Sequence, residues 1–233
     1  MTGEIVAIKS YSTIKLSSEK KKNAVKNEIE ILRLLKHPNI VKYYNVIENR
    51  RNTHLIMEHG GKVNLKDIID KKKMSRTFAI KSFKMIVEAV AYIHSLGIVH
   101  RDLKVENITV NKQHEVKLVD FGFAVKHKGK KLSDILGTPN YMGPEISQRR
   151  MYDGEANDVW ALGVIFYFMV TGKYPFGGKN LAELMSNIRR ARPSYSSIKG
   201  SNEHRLLTKI FVAKESDRIT CKDILKHKIF KNF

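Results

Sequence analysis

The hydrophobic pattern of the chain changes character near residue 58, and this change limits the possible folds more than any other feature. Before it, strand-like runs at residues 5–9, 40–47 and 53–58 flank one helical pattern, which sets Val25, Ile29, Leu32 and Leu35 on one face of a helix over residues 19–36. From Asn64 onward, apolar spacings of three and four dominate, at residues 76–95, 155–171, 180–190, 203–212 and 220–227. Two short strands, 108–110 and 116–119, interrupt them and enclose a turn-like 111–114. This order predicts an α+β chain: a small strand-containing N-terminal lobe over residues 1–58, a connector at 59–63 with Gly60 and Gly61, and a larger, mainly helical C-terminal lobe over 64–233. No internal repeat or low-complexity linker is present.

Composition excludes several classes. Apolar residues make up 42% of the 233 and charged ones 28%, enough to bury a sizeable core and unlike a disordered chain. The longest apolar run, 159–170, has a glycine inside it and falls short of the roughly 18–20 residues that cross a bilayer, so no membrane span is expected. Cys221 is the one cysteine, and no signal-peptide pattern opens the chain, which together point to an intracellular protein, cytoplasmic or nuclear. The outlying number is the formal charge of +20. It suits acidic partners in general, but the basic residues fall in bursts at 20–22, 71–73, 126–131 and 189–192 rather than in a stripe interleaved with aromatics. Solvated helix ends and loops are therefore the favoured reading, and a nucleic-acid groove the minority one.

Chemistry concentrates around the strand pair. Residues 100–107 read His-Arg-Asp-Leu-Lys-Val-Glu-Asn and residues 120–122 Asp-Phe-Gly, one string on each side of the predicted hairpin, while Val-Ala-Ile-Lys occupies residues 6–9 on a strand. Asp-Phe-Gly alone is weak evidence; the three strings in this order are strong. With them the sequence resembles the eukaryotic protein kinase family, serine/threonine type. The resemblance continues through Gly-Thr-Pro-Asn-Tyr at 137–141, Gly-Pro-Glu at 143–145, Asp-Val-Trp-Ala-Leu-Gly at 158–163 and Asp-Arg-Ile at 217–219. Tyr152-Asp153-Gly154 is similar to the calcium/calmodulin-dependent group, especially its AMP-activated and microtubule-affinity-regulating branch.

The resemblance implies a bilobal kinase fold and transfer of the γ-phosphate of Mg-ATP to Ser or Thr hydroxyls of protein substrates, a reaction that rests on positioning and charge neutralisation. It implies that Lys9 pairs with the α- and β-phosphates and that Glu28 orients Lys9. Asp102 would accept or aim the hydroxyl proton, Lys104 contact the γ-phosphate, and Asn107 and Asp120 hold magnesium with hard oxygen ligands. Ala7, Met57, Glu58 and His59 match the adenine site, Met57 as gatekeeper and the next two in the hinge. Glu145 and Arg218 match a bracing ion pair, and Asp158 a carboxylate that accepts backbone hydrogen bonds from the catalytic loop. Leu32, Tyr43, His100 and Phe121 match a packed column between the lobes, which gives His100 a core role. Thr138 matches a residue bonded to Asp102 and Lys104.

Departures from the family pattern bear on affinity and regulation. Met1 stands only eight positions before Lys9, so the glycine-rich loop that covers the phosphates is expected to be missing, which leaves a strand edge unpaired. A truncated sequence and a genuinely short kinase both explain this, and a non-catalytic scaffold is the rival function. Thr109 stands where an apolar residue usually supports adenine, and Asn64 where an acid often holds ribose. Asp134, three residues before Gly137, occupies a position often phosphorylated in relatives, so its carboxylate is placed to pair with Arg101 in place of a phosphate; Ser133 is the alternative phosphosite and a solvated loop Asp the plain reading. Glu106 resembles the glutamate that favours basic substrates.

Overall fold

Ser18 starts the first helix by accepting the Lys21 backbone N–H, and the way that helix lies on a small sheet sets the geometry of everything that follows. In the computed structural model, which describes residues 3, 5–16, 18–127 and 129–231, strand β1 (Val6–Ser12) precedes helix α1 (Glu19–Leu34), and β2 (Tyr43–Glu48) and β3 (Asn52–Glu58) follow. Met1, Lys128 of the 126–131 basic burst, and Phe233 lie outside the described residues. The sheet is antiparallel in the order β1-β3-β2, with Lys9 opposite Leu55 and Ala7 opposite Met57. Among the described residues the outer edge of β1 has no strand partner. Period-two alternation places Ala7, Lys9 and Tyr11 on one face of β1, and all three are partly buried. On α1 the buried stripe is Val25, Glu28, Ile29, Ile31 and Leu32, so Glu28 faces inward with the apolar residues. The helix stops at Leu34, before the expected residue 36: Leu35 is extended, and Pro38 soon follows.

The helical part begins with β4 (Val63–Asn64) and α2 (Leu65–Asp70), whose N-cap Asn64 and Asp67 form a reciprocal capping box. Helix α3 (Arg76–Ser95) then runs the length the periodicity predicts, and β5 (Ile98–Val99) closes it. Strands β6 (Ile108–Val110) and β7 (Val116–Leu118) form the predicted hairpin, and β8 (Val125–Lys126) pairs with β5. Short α4 (Pro144–Ser147) leads to α5 (Gly154–Thr171), apolar on all sides and buried over most of its length, as a helix enclosed by other elements must be. Gly172, at φ +69°, ends it. Helix α6 (Leu181–Arg190) packs on α4, α7 (Asn202–Ile210) on α5, and α8 (Cys221–Leu225) on α3. The result is an α+β fold with a small sheet-rich N-terminal part and a helical C-terminal part. The two are laced by backbone: Leu118 N–H donates to Asn39 O at 2.8 Å and Val41 N–H to Leu118 O at 3.0 Å. No helix among the described residues is long and apolar enough to cross a membrane.

Candidate active site

Two clusters of charge meet at the ends of the β6–β7 hairpin. Because Ile108 pairs with Leu118, and Val119 N–H donates to Asn107 O at 2.9 Å, the residues just outside the hairpin, Asn107 and Asp120, come side by side. Lys9 Nζ reaches Asp120 Oδ1 at 2.7 Å and Glu28 Oε1 at 2.9 Å, so one ammonium joins β1, α1 and the segment after β7. Tyr11, which sequence reasoning passed over, donates its hydroxyl to the other oxygen of Glu28. Burial opposes the charge on Lys9, but Glu28 and the hydrogen bond to Asp120 outweigh it and hold its pKa above the usual lysine value. Asp120 is the mirror case: burial raises its pKa, and Lys9, with the Gly122 N–H, brings the net value down.

The second cluster surrounds Asp102, which is 5% exposed. Its Oδ2 accepts from Lys104 Nζ at 2.6 Å and from Asn107 Nδ2 at 3.3 Å, and its Oδ1 from Thr138 Oγ1 at 3.0 Å. Lys104 also reaches Thr138 at 3.2 Å. The Asn107 amide nitrogen makes a further bond to Asp102 O at 3.0 Å. Gly137 makes the Thr138 contact possible. It sits at φ +102°, and a Cβ there would come within 2.6 Å of Arg101 O.

The loop beneath is held from below. Asp158 of α5 accepts His100 N–H at 2.8 Å, Arg101 N–H at 2.9 Å and His94 Nε2 at 3.0 Å. Burial alone would lower the pKa of His94; hydrogen bonds to Asp158 and Cys221 reverse that and push it up to about 10. Burial raises Asp158, but His94 overrides it and brings it below the usual carboxylate value. These bonds hold Arg101 at φ +67°, while Asp120 lies at φ +60°, left-handed conformations that cost a non-glycine residue on the order of 1 kcal/mol each. His100 is fully buried against Phe121, ring centroids 4.9 Å apart, and burial lowers its pKa. His100 Nδ1 accepts the Asp102 N–H at 3.3 Å; Leu32 is buried, and the partly buried Tyr43 accepts Arg33 Nε at 3.1 Å.

The adenine-site candidates are less tightly joined. Met57 lies between Ala7 and Tyr43 across the sheet. Glu58 uses its N–H on Lys42 O at 2.8 Å, and its carboxylate binds Lys117 at 2.8 Å and Lys42 N–H at 3.1 Å, so its side chain serves the sheet and hairpin. His59 is exposed. Thr109 Oγ1 sits where a Cβ on Gly60 would come within 2.5 Å, so the connector backbone runs close against the hairpin. Elsewhere Glu145 and Arg218 form a buried, two-pronged pair at 2.9 and 3.0 Å, and Arg101 Nη1 meets Asp134 at 3.3 Å.

Tyr11 was legible in principle, since alternation puts it on the face of Lys9. His94 was not: its partner lies 64 positions away. Nor was Asn27, whose amide donates to Ala124 O at 2.7 Å across 97 positions.

With this geometry in view, comparison with known proteins is informative. Residues 1–230 match the family described as "Protein kinase domain". The chain is 35% identical over 231 residues to the "Carbon catabolite-derepressing protein kinase" of Candida tropicalis, covering 99% of this chain and 37% of that protein. It is 34% identical over 236 residues to "CBL-interacting protein kinase 33" of Oryza sativa subsp. japonica, covering 99% of this chain and 52% of the relative. To the "Probable serine/threonine-protein kinase MARK-A" of Dictyostelium discoideum it is 36% identical over 230 residues, covering 96% of this chain and 21% of that protein. The chain thus spans between about a fifth and a half of the length of these relatives. They lie on the branch that the sequence resembles.

Proposed function

The chain belongs to the protein kinase family, and on that premise we propose that it transfers the γ-phosphate of Mg-ATP to Ser and Thr hydroxyls of protein substrates. The observation that carries this reading is the pairing of the two clusters. Lys9 is held between Glu28 and Asp120, and Asp102 between Lys104 and Thr138, at the two sides of one hairpin end.

The donor set fits a nucleotide and a hard cation. Among the described residues no group of three His, Cys, Asp or Glu side chains gathers to cage a metal. A site with one carboxylate, Asp120, and one amide oxygen, Asn107, suits magnesium, which keeps waters and takes its remaining ligands from phosphates. When bound, the metal supplies charge neutralisation across the phosphates. Lys9, kept cationic by its two carboxylates, binds phosphate oxygens and is aimed by Glu28. Asp102 takes or directs the proton of the substrate hydroxyl, with its oxygens oriented by Thr138 and Asn107. Lys104 leaves Asp102 to meet the negative charge of the transferring group. Ala7, Met57, Glu58 and His59 enclose adenine, and residues 59–63 act as the hinge between lobes of 1–58 and 64–233. Glu106, beside Tyr141 OH at 3.5 Å, receives a basic residue of the substrate. Asp134 stands in for a phosphate toward Arg101. An intracellular setting goes with the reaction, which needs ATP.

The test is transfer of labelled γ-phosphate from Mg-ATP to a mixed Ser/Thr peptide pool. Transfer by the chain that falls by roughly 10²–10⁴ in Asp102→Asn and is lost in Asp120→Ala is the expected result. Absence of transfer by the unaltered chain, with partner binding kept in both variants, would make it a scaffold instead.

A further inference from the structure

The formal charge of +20 is not absorbed by phosphotransfer, and one surface pocket that shares no residue with the hairpin gathers four of the cations. A pocket of about 640 Å³ opens between α7 and the segment around α8. Arg205 and Lys209, four apart on α7, line one wall on the helix face opposite the buried Leu206, Leu207 and Ile210. Lys226, His227 and Lys228 line the other wall, anchored by buried Ile229 and Phe230 just beyond. Four full positive charges thus face a single lining carboxylate, Asp223. That carboxylate is already engaged by Thr220 Oγ1 at 2.7 Å and Lys226 Nζ at 3.0 Å. Among the described residues, neither Lys209 nor Lys228 has a carboxylate partner. His227 accepts the Ile229 N–H on Nδ1 at 3.3 Å, which places its ring proton on Nε2 as a donor.

We propose that this pocket binds a small, multiply phosphorylated group. Uncompensated cations around a concavity focus positive potential into it, and phosphates, at roughly −1.5 to −2 each, supply that charge at matching density. Burial first, and then the charges of Lys209, Lys228 and Arg205, lowers the His227 pKa, in keeping with their shared place in the pocket lining. Nucleic acid fits less well. No Phe, Tyr or Trp lines the pocket to stack a base. The phosphates can belong to a soluble compound or to a lipid headgroup. Among the described residues, none of the exposed large apolar side chains lies on α7 or α8 to enter a bilayer, which favours the soluble source.

The test is calorimetric titration of the full 233-residue chain at near-physiological salt with three probes. These are inositol hexakisphosphate, phosphatidylcholine vesicles with and without a phosphoinositide bisphosphate, and a short DNA duplex. Two charge-reversed pairs are compared, Lys209→Glu with Lys228→Glu in the pocket and Lys71→Glu with Lys73→Glu elsewhere. The proposal expects the pocket pair to weaken inositol hexakisphosphate by at least about tenfold and the distant pair by no more than about twofold. The same contrast seen only with phosphoinositide vesicles supports the site and assigns it to a headgroup. Equal weakening by both pairs, no binding of either phosphate probe, or binding of the duplex alone overturns it. Should the pocket reversal fail to fold, the Lys209→Gln with Lys228→Gln pair is read by the same criterion. The readout is independent of phosphotransfer, so the two readings fail separately.

Discussion

Lys9 carries its charge in surroundings that oppose it, and two carboxylates on different elements make that tolerable. Removing it leaves Glu28, whose side chain is 3% exposed, with Tyr11 alone. Lys9→Met should therefore cost on the order of 1–3 kcal/mol of stability as well as phosphotransfer. Adding Glu28→Leu should return part of the melting temperature and none of the transfer, which separates the structural from the chemical part of the pair. His94 and Asp158 make a sharper residue-level case. The folded pKa of His94 is raised from 6.5 to about 10, so its stabilisation is complete below 6.5 and is lost as pH rises through 10. Asp158 is depressed below 3.8, so its share is present above that value and is lost as pH falls through its folded value. His94→Gln should lower stability by about 3 kcal/mol near pH 6, since it breaks a buried pair, and the gap from the unaltered protein should shrink steadily toward pH 10. Melting curves of both proteins across that range check it; a gap that does not change with pH would mean that His94 acts through packing alone.

At the scale of elements, the segment from Asp120 to Glu145 is held at a few defined points. Gly137 lets it approach the backbone at Arg101, Thr138 ties it to Asp102, and Arg218 clamps Glu145. Gly137→Ala adds left-handed strain of about 1–3 kcal/mol and a clash with Arg101 O. It should lower transfer by at least about tenfold while the melting temperature moves little, because the strain is relieved by releasing the segment. The Arg101–Asp134 contact is weaker. Asp134 is largely exposed, and an exposed pair is worth about 0.2–1 kcal/mol. Asp134→Ala should accordingly reduce transfer by about two- to fivefold, and unchanged activity would show that Asp134 is a solvated loop residue. These segments were partly legible. The Gly-Thr-Pro and Gly-Pro-Glu strings marked them, whereas the bond from Tyr152 OH to Asp134 O at 3.1 Å had no local signal.

For the whole molecule, the decisive contact is the seam between the sheet-rich and helical parts. Asn39 contributes a backbone carbonyl to Leu118 and a side-chain amide to Val116 O at 2.9 Å, and it is buried. Asn39→Ala leaves a buried carbonyl on the hairpin without its donor. It should cost about 1–3 kcal/mol and also lower transfer, since the seam sets where β1 and α1 deliver Lys9. Calorimetric unfolding alongside the transfer assay would show the two losses together; a stability loss with full activity would mean that the lobes find their relation without this seam.

The local elements were decided by the sequence itself. Caps such as Ser18, Asn64 and Asp153, the period of two in β1 and the period near 3.6 in α3 and α5 act over a few residues, so their cause is visible in any short window. The contiguous strings around Asp102 and Asp120 were readable for the same reason. Tertiary structure decided which charges meet. Lys9 finds Asp120 across 111 positions and Arg218 finds Glu145 across 73, pairings that no window spans. A buried charge is tolerated only where a partner is delivered to it within hydrogen-bond distance, and that delivery depends on how whole elements pack.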